Sequence, residues 1–222
     1  AYVRAAEQST SYYGQLARAK LGLPQIELNG LPRGRGAERL EIVRAVQLLY
    51  ELDEREIAIP IFADMGENGD PEALAGLGEL TSRYGDARGM LLVGKAALNR
   101  GLPFDHYAYP VSGIPSFKQF GPEVEQSVVY AICRQESAFN QAVVSPAQAY
   151  GLMQVTPDAG RYVTKRAGVG FDLSRRKTDP DYNAALGAAE IGELLGVYGG
   201  CYLLPLHADS SGRGVCEQTI SC

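Results

Sequence analysis

The stretch AICRQESAFN at residues 131–140 decides the fold of the second half of the chain. It continues an apolar pattern, including Val129 and Cys133, whose three- and four-residue steps predict a helix that begins at Glu123. Glu136 follows the same steps. At about 100° per residue its carboxylate lies on the face of the helix that the apolar side chains share.

A carboxylate at such a place loses water, which favours its protonated form, and a general acid needs that form. This predicts that Glu136 donates a proton in catalysis. The alternative is a structural role, because a lone Glu at the end of a buried helix more often caps the helix or forms an ion pair. The residues that follow favour the catalytic interpretation.

Two further motifs follow Glu136 and Ser137 in order: Ser145-Pro146, and then AYGLMQVTP at residues 149–157. The series resembles the catalytic core of the soluble lytic transglycosylases, in which a Glu-Ser pair precedes Ser-Pro and Gly-Leu-Met-Gln elements. The resemblance implies a lysozyme-like α domain that binds peptidoglycan glycan strands. Its implied catalytic residue is Glu136, and its implied substrate-binding residues are Ser145, Tyr150, Gly151, Met153 and Gln154.

The chemistry implied by the resemblance is cleavage of the β-1,4 bond between N-acetylmuramic acid and N-acetylglucosamine. Most glycosidases use two carboxylates, whereas this motif contains one. In the family scheme Glu136 protonates the glycosidic oxygen and then removes a proton from the muramic C6 hydroxyl, which closes a 1,6-anhydro ring. We therefore expect a periplasmic bacterial lyase with no metal and no cofactor. No particular cell-wall or secretion partner is indicated.

Individual residues in and near these motifs have further predicted roles. Gly151 would let the backbone approach a sugar closely, and Gln154 would donate a hydrogen bond to the sugar's acetamido group or ring oxygen. We expect Ser137 to play a structural part at the helix end. Asn183, which follows Asp179-Pro180, is expected to cap a helix.

The first hundred residues are predicted to be helical, with breaks that contain Gly or Pro. Asp70 before Pro71 is typical of an N-cap followed by a first-turn proline. The region is similar to the helical repeats that precede the catalytic domain in large members of the family. The predicted helices are Tyr12–Leu21, Ala37–Leu52, Glu54–Met65, Pro71–Tyr84 and Ala87–Asn99.

We predict an all-α chain in three parts. Residues 1–100 are a helical-repeat segment at the end of a longer α-superhelix, and residues 101–122, with four prolines and three glycines, are a linker. Residues 123–222 are the lysozyme-like catalytic domain. Its later helices are predicted at Pro157–Gly168 and Asn183–Tyr198.

The end of the chain departs from the family pattern. After Gly200 the resemblance implies a helix that ends in Ala-Tyr-Asn-Ala-Gly, whose Tyr hydroxyl approaches the catalytic Glu. Here Asp209 and Ser210 stand in the Tyr and Asn places, and Pro205 would interrupt the helix. Residues 201–222 are therefore either an atypical terminus or a truncated or frameshifted one.

Three functions remain open at this point. The chain is an active lytic transglycosylase, which we favour, or a hydrolytic lysozyme-like glycosidase that uses water. The third alternative is a peptidoglycan-binding scaffold that has lost catalysis.

Composition excludes other classes. The net charge of -5 disfavours a nucleic-acid partner, because neutralising phosphates requires a concentrated basic face. No apolar run reaches the roughly 18 to 20 residues of a membrane-spanning helix. The first residues, from Ala1, lack both the features of a secretory signal and an initiator Met, so we expect the sequence to be a piece of a longer chain. The four cysteines match no zinc pattern, and Cys133 is expected to be a buried thiol.

Overall fold

The computed structural model describes residues 1–7, 9–24, 28 and 36–197. Within these residues the chain is helical, with isolated β-bridges but no strands, and the predicted all-α class is confirmed. In chain order the helices are α1 (Tyr2–Ala6), α2 (Tyr12–Lys20), α3 (Glu41–Glu51), α4 (Arg55–Asn68), α5 (Pro71–Arg83), α6 (Ala87–Asn99), α7 (Asp105–Ala108), α8 (Gln126–Glu136), α9 (Pro157–Ala167), α10 (Arg175–Thr178) and α11 (Pro180–Val197).

One compact unit comprises the described residues within the ranges 1–79 and 93–109. Helix α3 buries Val43, Val46 and Tyr50, which recur at three- and four-residue steps and so share one face of the helix. The short helix α7 lies close to the backbone of Gly94. A side chain would not fit there, because a Cβ at Gly94 would lie 2.1 Å from the Ala108 nitrogen. The described part of this unit is therefore helical, as the sequence predicted.

The start of α5 confirms the predicted cap. Oδ2 of Asp70 accepts hydrogen bonds from the backbone N–H groups of Glu72, at 2.9 Å, and Ala73, at 3.3 Å. These bonds satisfy two of the N–H groups that a helix start leaves without a partner.

The predicted helix Ala37–Leu52 is divided in the structure. A 3₁₀ turn covers Ala37–Arg39, and Leu40 then adopts an extended conformation with φ −64° and ψ 133° before α3 begins. An extended residue cannot continue the helical hydrogen-bond ladder, so one predicted helix becomes two elements. Helix α6 begins and ends where the sequence predicted.

The helix that carries Glu136 begins at Gln126, so the predicted start at Glu123 was wrong. The side chain of Gln119 explains the difference. Its Oε1 accepts from the Val124 nitrogen at 2.9 Å, and its Nε2 donates to the Val124 oxygen at 3.0 Å. Val124 is thereby held by a side chain rather than by helical bonds.

The second compact unit comprises, among the described residues, 80–92 and 110–197. Helix α11 runs through its core, and α8 contributes Val129, Ile132 and Cys133. Gly187 of α11 lets Met153 pack closely, since a Cβ at Gly187 would lie 2.5 Å from the Met153 Cβ. The segment that carries the predicted site motifs is therefore packed directly on α11.

Residues 101–122, the predicted linker, contribute to both units. Tyr107 is buried in the first unit, whereas Phe117 and Phe120 pack against the core of the second. The division into residues 1–100, 101–122 and 123–222 stays a prediction. Among the described residues, no helix has both the length and the apolarity to cross a membrane.

Candidate active site

Glu136 is the last residue of α8, and its side chain is half-buried. The apolar stripe behind it is buried as predicted, with Cys133 fully inaccessible. Within the described part of the chain, the Glu136 carboxylate makes neither a hydrogen bond nor an ion pair. The described residues therefore give no support to a capping or ion-pair role, and none of them occupies the carboxylate.

Ser137 connects the end of α8 to the second motif. Its hydroxyl oxygen lies 2.7 Å from the carbonyl oxygen of Leu152 and 3.0 Å from that of Cys133. The residue is buried, so the Leu152 carbonyl is met by this hydroxyl rather than by water, whereas the Cys133 carbonyl also accepts from the backbone N–H groups of Ser137 and Phe139. The expected structural part of Ser137 is thus seen, and it brings the Glu-Ser and Gly-Leu-Met-Gln motifs together.

The chain turns sharply directly after this pair. Ala138 and Phe139 both adopt left-handed backbone conformations, with φ of 50° and 60°. Such conformations are costly for residues with a side chain and persist where packing holds them. The Phe139 ring is buried beside Tyr130, with 6.1 Å between the ring centroids. This turn ends the helix and leaves Glu136 at its tip.

The second motif forms a tight turn. Tyr150 and Val155 exchange two backbone hydrogen bonds of 3.1 Å, and Gly151 between them has φ +75°. A Cβ at Gly151 would lie 2.7 Å from Cγ of Asn183. A glycine is therefore required here because Asn183 approaches its backbone, and the predicted approach of a sugar stays a prediction.

Asn183 holds this turn from α11. Its Oδ1 accepts from the Met153 nitrogen at 3.3 Å, and its Nδ2 donates to the Tyr150 oxygen at 2.7 Å. The predicted capping role was wrong: Asp179 supplies the cap, because its Oδ1 accepts from the Tyr182 nitrogen at 3.1 Å. Asn183 lies a full turn inside α11 and faces the motif.

Gln154 is half-buried, and its amide is engaged within the protein. Its Nε2 donates to the Gly151 oxygen at 3.0 Å and to the Val143 oxygen at 3.3 Å. We expected the Gln154 side-chain N–H groups to donate to a sugar. In the structure they donate to backbone carbonyls. Its oxygen Oε1 remains the acceptor that the amide offers to other groups.

The other residues predicted to bind substrate differ in how exposed their side chains are. Ser145 and Tyr150 are half-buried, whereas Met153 is 4% exposed and packs in the core. The Ser145 hydroxyl accepts from the Ala149 nitrogen at 3.1 Å and so closes the loop before the turn. Met153 therefore shapes the turn from the side that faces the core.

Arg176 is a residue that sequence reasoning missed. It is 2% exposed, and its Nη1 donates to the carbonyl oxygens of Gln148 and Val155. Its Cζ lies 4.5 Å from the centre of the Tyr150 ring. In the sequence it belongs to a short basic run next to Arg175 and Lys177, a pattern typical of a solvated surface.

Two grooves lie on the second unit. One of about 180 Å³ is bordered by Gly151, Asn183 and Lys177, and one of about 460 Å³ by Phe117 and Tyr182 among others. Glu136 borders neither of these two. Residues 201–222, with the predicted departures at Asp209 and Ser210, lie outside the described residues. No cluster of three metal-ligating side chains is found in the ranges that the structure describes.

Comparison with known proteins identifies the segment that carries these motifs. Residues 116–221 match the Transglycosylase SLT domain. The predicted resemblance to the soluble lytic murein transglycosylases is confirmed. The SLT match begins before α8 and covers the whole candidate site.

Curated relatives of this SLT segment include transglycosylases of two kinds. The soluble lytic murein transglycosylase of Escherichia coli K12 is 31% identical over 109 residues, which are 48% of this chain and 17% of that protein. The membrane-bound lytic murein transglycosylase C of Sodalis glossinidius is 41% identical over 90 residues, which are 40% of this chain and 25% of that protein. The chain thus spans less than a third of either relative.

Solved structures show the fold. The 70 kDa soluble lytic transglycosylase of Escherichia coli superposes with a TM-score of 0.75 at 20% identity, over 97% of this chain and 36% of that one. The lytic transglycosylase Slt of Pseudomonas aeruginosa gives a TM-score of 0.70 at 20% identity, over 98% and 36%. The predicted helical segment followed by a lysozyme-like α domain is therefore confirmed.

Proposed function

We propose that the chain is a peptidoglycan lytic transglycosylase with Glu136 as its single acid/base. One observation carries the proposal: Glu136 has no partner among the described residues, and Ser137 ties it to the turn that contains Gly151 and Gln154. A carboxylate that is half-buried and uncommitted, beside an ordered polar turn, suits proton transfer to and from a bound sugar.

The reaction then has two proton transfers at one carboxyl group. The Glu136 carboxylic acid gives its proton to the glycosidic oxygen, and the bond between that oxygen and the muramic C1 breaks. The resulting carboxylate accepts the proton of the muramic C6 hydroxyl while O6 forms a bond to C1. The products are a free N-acetylglucosamine hydroxyl and a 1,6-anhydro-muramic end, and Glu136 regains its proton without the use of water.

The turn at residues 150–154 supports substrate binding in two ways. Tyr150 and Gln154 are half-buried and offer a hydroxyl and an amide oxygen to a sugar. Gly151 and Met153 are buried and act by setting the shape of the turn. Ser145 orders the preceding loop through Ala149. A lyase acting on murein would work in the bacterial periplasm or at the cell wall.

Muropeptide release from purified sacculi tests the proposal. The parent chain is expected to release anhydro-muropeptides, which are lighter than hydrolysis products by one water. Glu136→Gln cannot transfer the proton, and its release is expected to fall by about 10²- to 10⁴-fold. Glu125→Gln, at the exposed start of the same helix, is the matched control and should keep the parent's rate.

The other outcomes separate the alternatives. Products with reducing ends would identify a hydrolytic glycosidase instead. A chain that binds sacculi and releases nothing, with Glu136→Gln equal to the parent, would identify a scaffold that has lost catalysis. The replacement of the implied Tyr and Asn by Asp209 and Ser210 is the observation that favours this last alternative.

A further inference from the structure

The buried guanidinium of Arg176 is an unusual feature of the second unit. Among the described residues no carboxylate pairs with it, and its Nε has no hydrogen-bond partner. Burial lowers the pKa of this guanidinium, because the charged form loses solvation there. A buried cation without a carboxylate partner costs stability, and an apolar side chain of similar volume is often better tolerated. Arg176 is therefore poorly explained as a device for stability alone.

Its hydrogen bonds indicate a different use. Nη1 donates to the carbonyl oxygen of Gln148 at 2.9 Å and to that of Val155 at 2.6 Å. These two carbonyls stand at the two ends of the loop that contains Tyr150, Gly151 and Gln154. One guanidinium nitrogen thus holds the two ends of this loop together.

The loop needs such a restraint. Gln148 and Gln154 adopt left-handed backbone conformations, with φ of 59° and 49°, which residues with a side chain rarely do. The Arg176 guanidinium also lies over the Tyr150 ring, and Nζ of Lys177 lies 4.7 Å from the centre of that ring. The same short helix therefore restrains the backbone of the loop and its aromatic side chain.

We propose that Arg176 is a positioning residue, which holds the loop 148–155 in the conformation that binds the glycan strand. The expected effect of Arg176 on turnover rests on the proposed function. Arg176 does not touch the reacting atoms in this proposal. It acts through Tyr150 and the turn that Ser137 connects to Glu136, so its loss should weaken substrate binding more than proton transfer.

Hydrogen exchange tests the clamp independently of activity. In Arg176→Leu the backbone amides of Tyr150 and Val155, which are bonded to each other, should exchange at least about tenfold faster. Arg176→Lys keeps a buried donor and should restore most of the protection. Arg175→Leu, one residue earlier, removes the partly exposed ion pair with Asp179 and is the matched control. Unchanged protection in Arg176→Leu overturns the proposal.

Kinetics on sacculi complete the test. Arg176→Leu should raise KM about tenfold with a smaller change in kcat and an unchanged pH profile, while Arg176→Lys should lie within about threefold of the parent. Faster exchange with kcat/KM equal to the parent's overturns the positioning role. If the parent releases no muropeptides, the proposed function fails, and the exchange data alone then decide whether Arg176 holds the loop.

Discussion

The hydroxyl of Ser137 lies 2.7 Å from the carbonyl oxygen of Leu152, and this contact joins the helix that ends in Glu136 to the turn of the second motif. The two motifs are separated in sequence by a loop, and this buried hydrogen bond connects them directly. A site that combines Glu136 with the turn depends on this bond for its geometry.

Ser137→Ala tests that dependence. The substitution leaves the buried carbonyl of Leu152 without the hydroxyl, so the free energy of unfolding should fall by about 1–3 kcal/mol. Turnover of sacculi should fall as well, because Glu136 and the turn lose their connection. Urea unfolding and muropeptide release measure the two effects. Ser127→Ala, on the exposed start of the same helix, should change neither, and equal behaviour of the two variants contradicts the prediction.

Gly151→Ala introduces both a steric clash and backbone strain, whereas the control Gly168→Ala introduces only the strain. The new Cβ would lie 2.7 Å from Cγ of Asn183, and the φ of +75° disfavours any side chain. Gly168→Ala is the matched control, because Gly168 has φ +69° with no atom within 4 Å of the added Cβ. We expect Gly168→Ala to cost about 1–2 kcal/mol. Gly151→Ala should cost at least about 1 kcal/mol more, since Asn183 must give up its hydrogen bonds.

Thermal unfolding of the two glycine variants provides the measurement. A loss of stability that is equal in both would mean that Asn183 moves aside without penalty. A larger loss in Gly151→Ala supports the view that Asn183 fixes the turn from α11.

The sequence could predict those parts of the molecule that depend on local pattern. Helix α6, the cap at Asp70 and the buried stripe of α8 all follow from period and from residue chemistry within one element. The start of α8 was placed wrongly, because it depends on Gln119, whose two bonds to Val124 leave no trace in a helical period.

The candidate site shows the same limit. Glu136 and the turn could be predicted because they lie in compact motifs. Asn183 was assigned to a cap from its position after Asp179-Pro180, whereas its hydrogen bonds reach a turn about 30 residues earlier in the chain. Arg176 was hidden in a basic run, and only the packing of α10 against the loop reveals that it is buried.

Asp179 gives a prediction for acid conditions. The hydrogen bond from the Arg175 side chain, followed by the bond from the Tyr182 N–H, lowers the pKa of the Asp179 carboxyl. A lowered pKa in the folded state means that the charge stabilises the fold above the unfolded pKa of about 3.9, and that this stability is lost as the pH falls through the folded pKa.

Asp179→Asn keeps a capping side chain and removes only the charge. Its unfolding free energy at pH 7 should be lower than the parent's by up to about 1 kcal/mol, since the pair is partly exposed. The deficit should shrink as the pH falls below about 4. Urea titrations at several pH values measure it. Asp53→Asn, whose side chain is 95% exposed and 4.0 Å from Arg55, should show little deficit at any pH.

Cys133 gives a prediction for alkaline conditions. Burial raises the pKa of its thiol to about 12, and the side chain is fully inaccessible on α8. At pH 8 the thiolate fraction in the folded protein is therefore about 10⁻⁴. Native protein should take up no iodoacetamide at the Cys133 peptide, as followed by peptide mapping, and the same peptide should react fully in urea.

The same shift affects stability because an acid with a raised pKa in the folded state favours folding below its unfolded pKa and loses this contribution as the pH rises. The parent should therefore become less stable above about pH 8.5, where the unfolded thiol ionises but the folded one does not. Cys133→Ala lacks this thiol, so its unfolding free energy should fall less steeply between about pH 8.5 and 10.5. Parallel curves for the two proteins, or rapid labelling of Cys133 in the native state, would show that α8 opens more readily than its packing indicates.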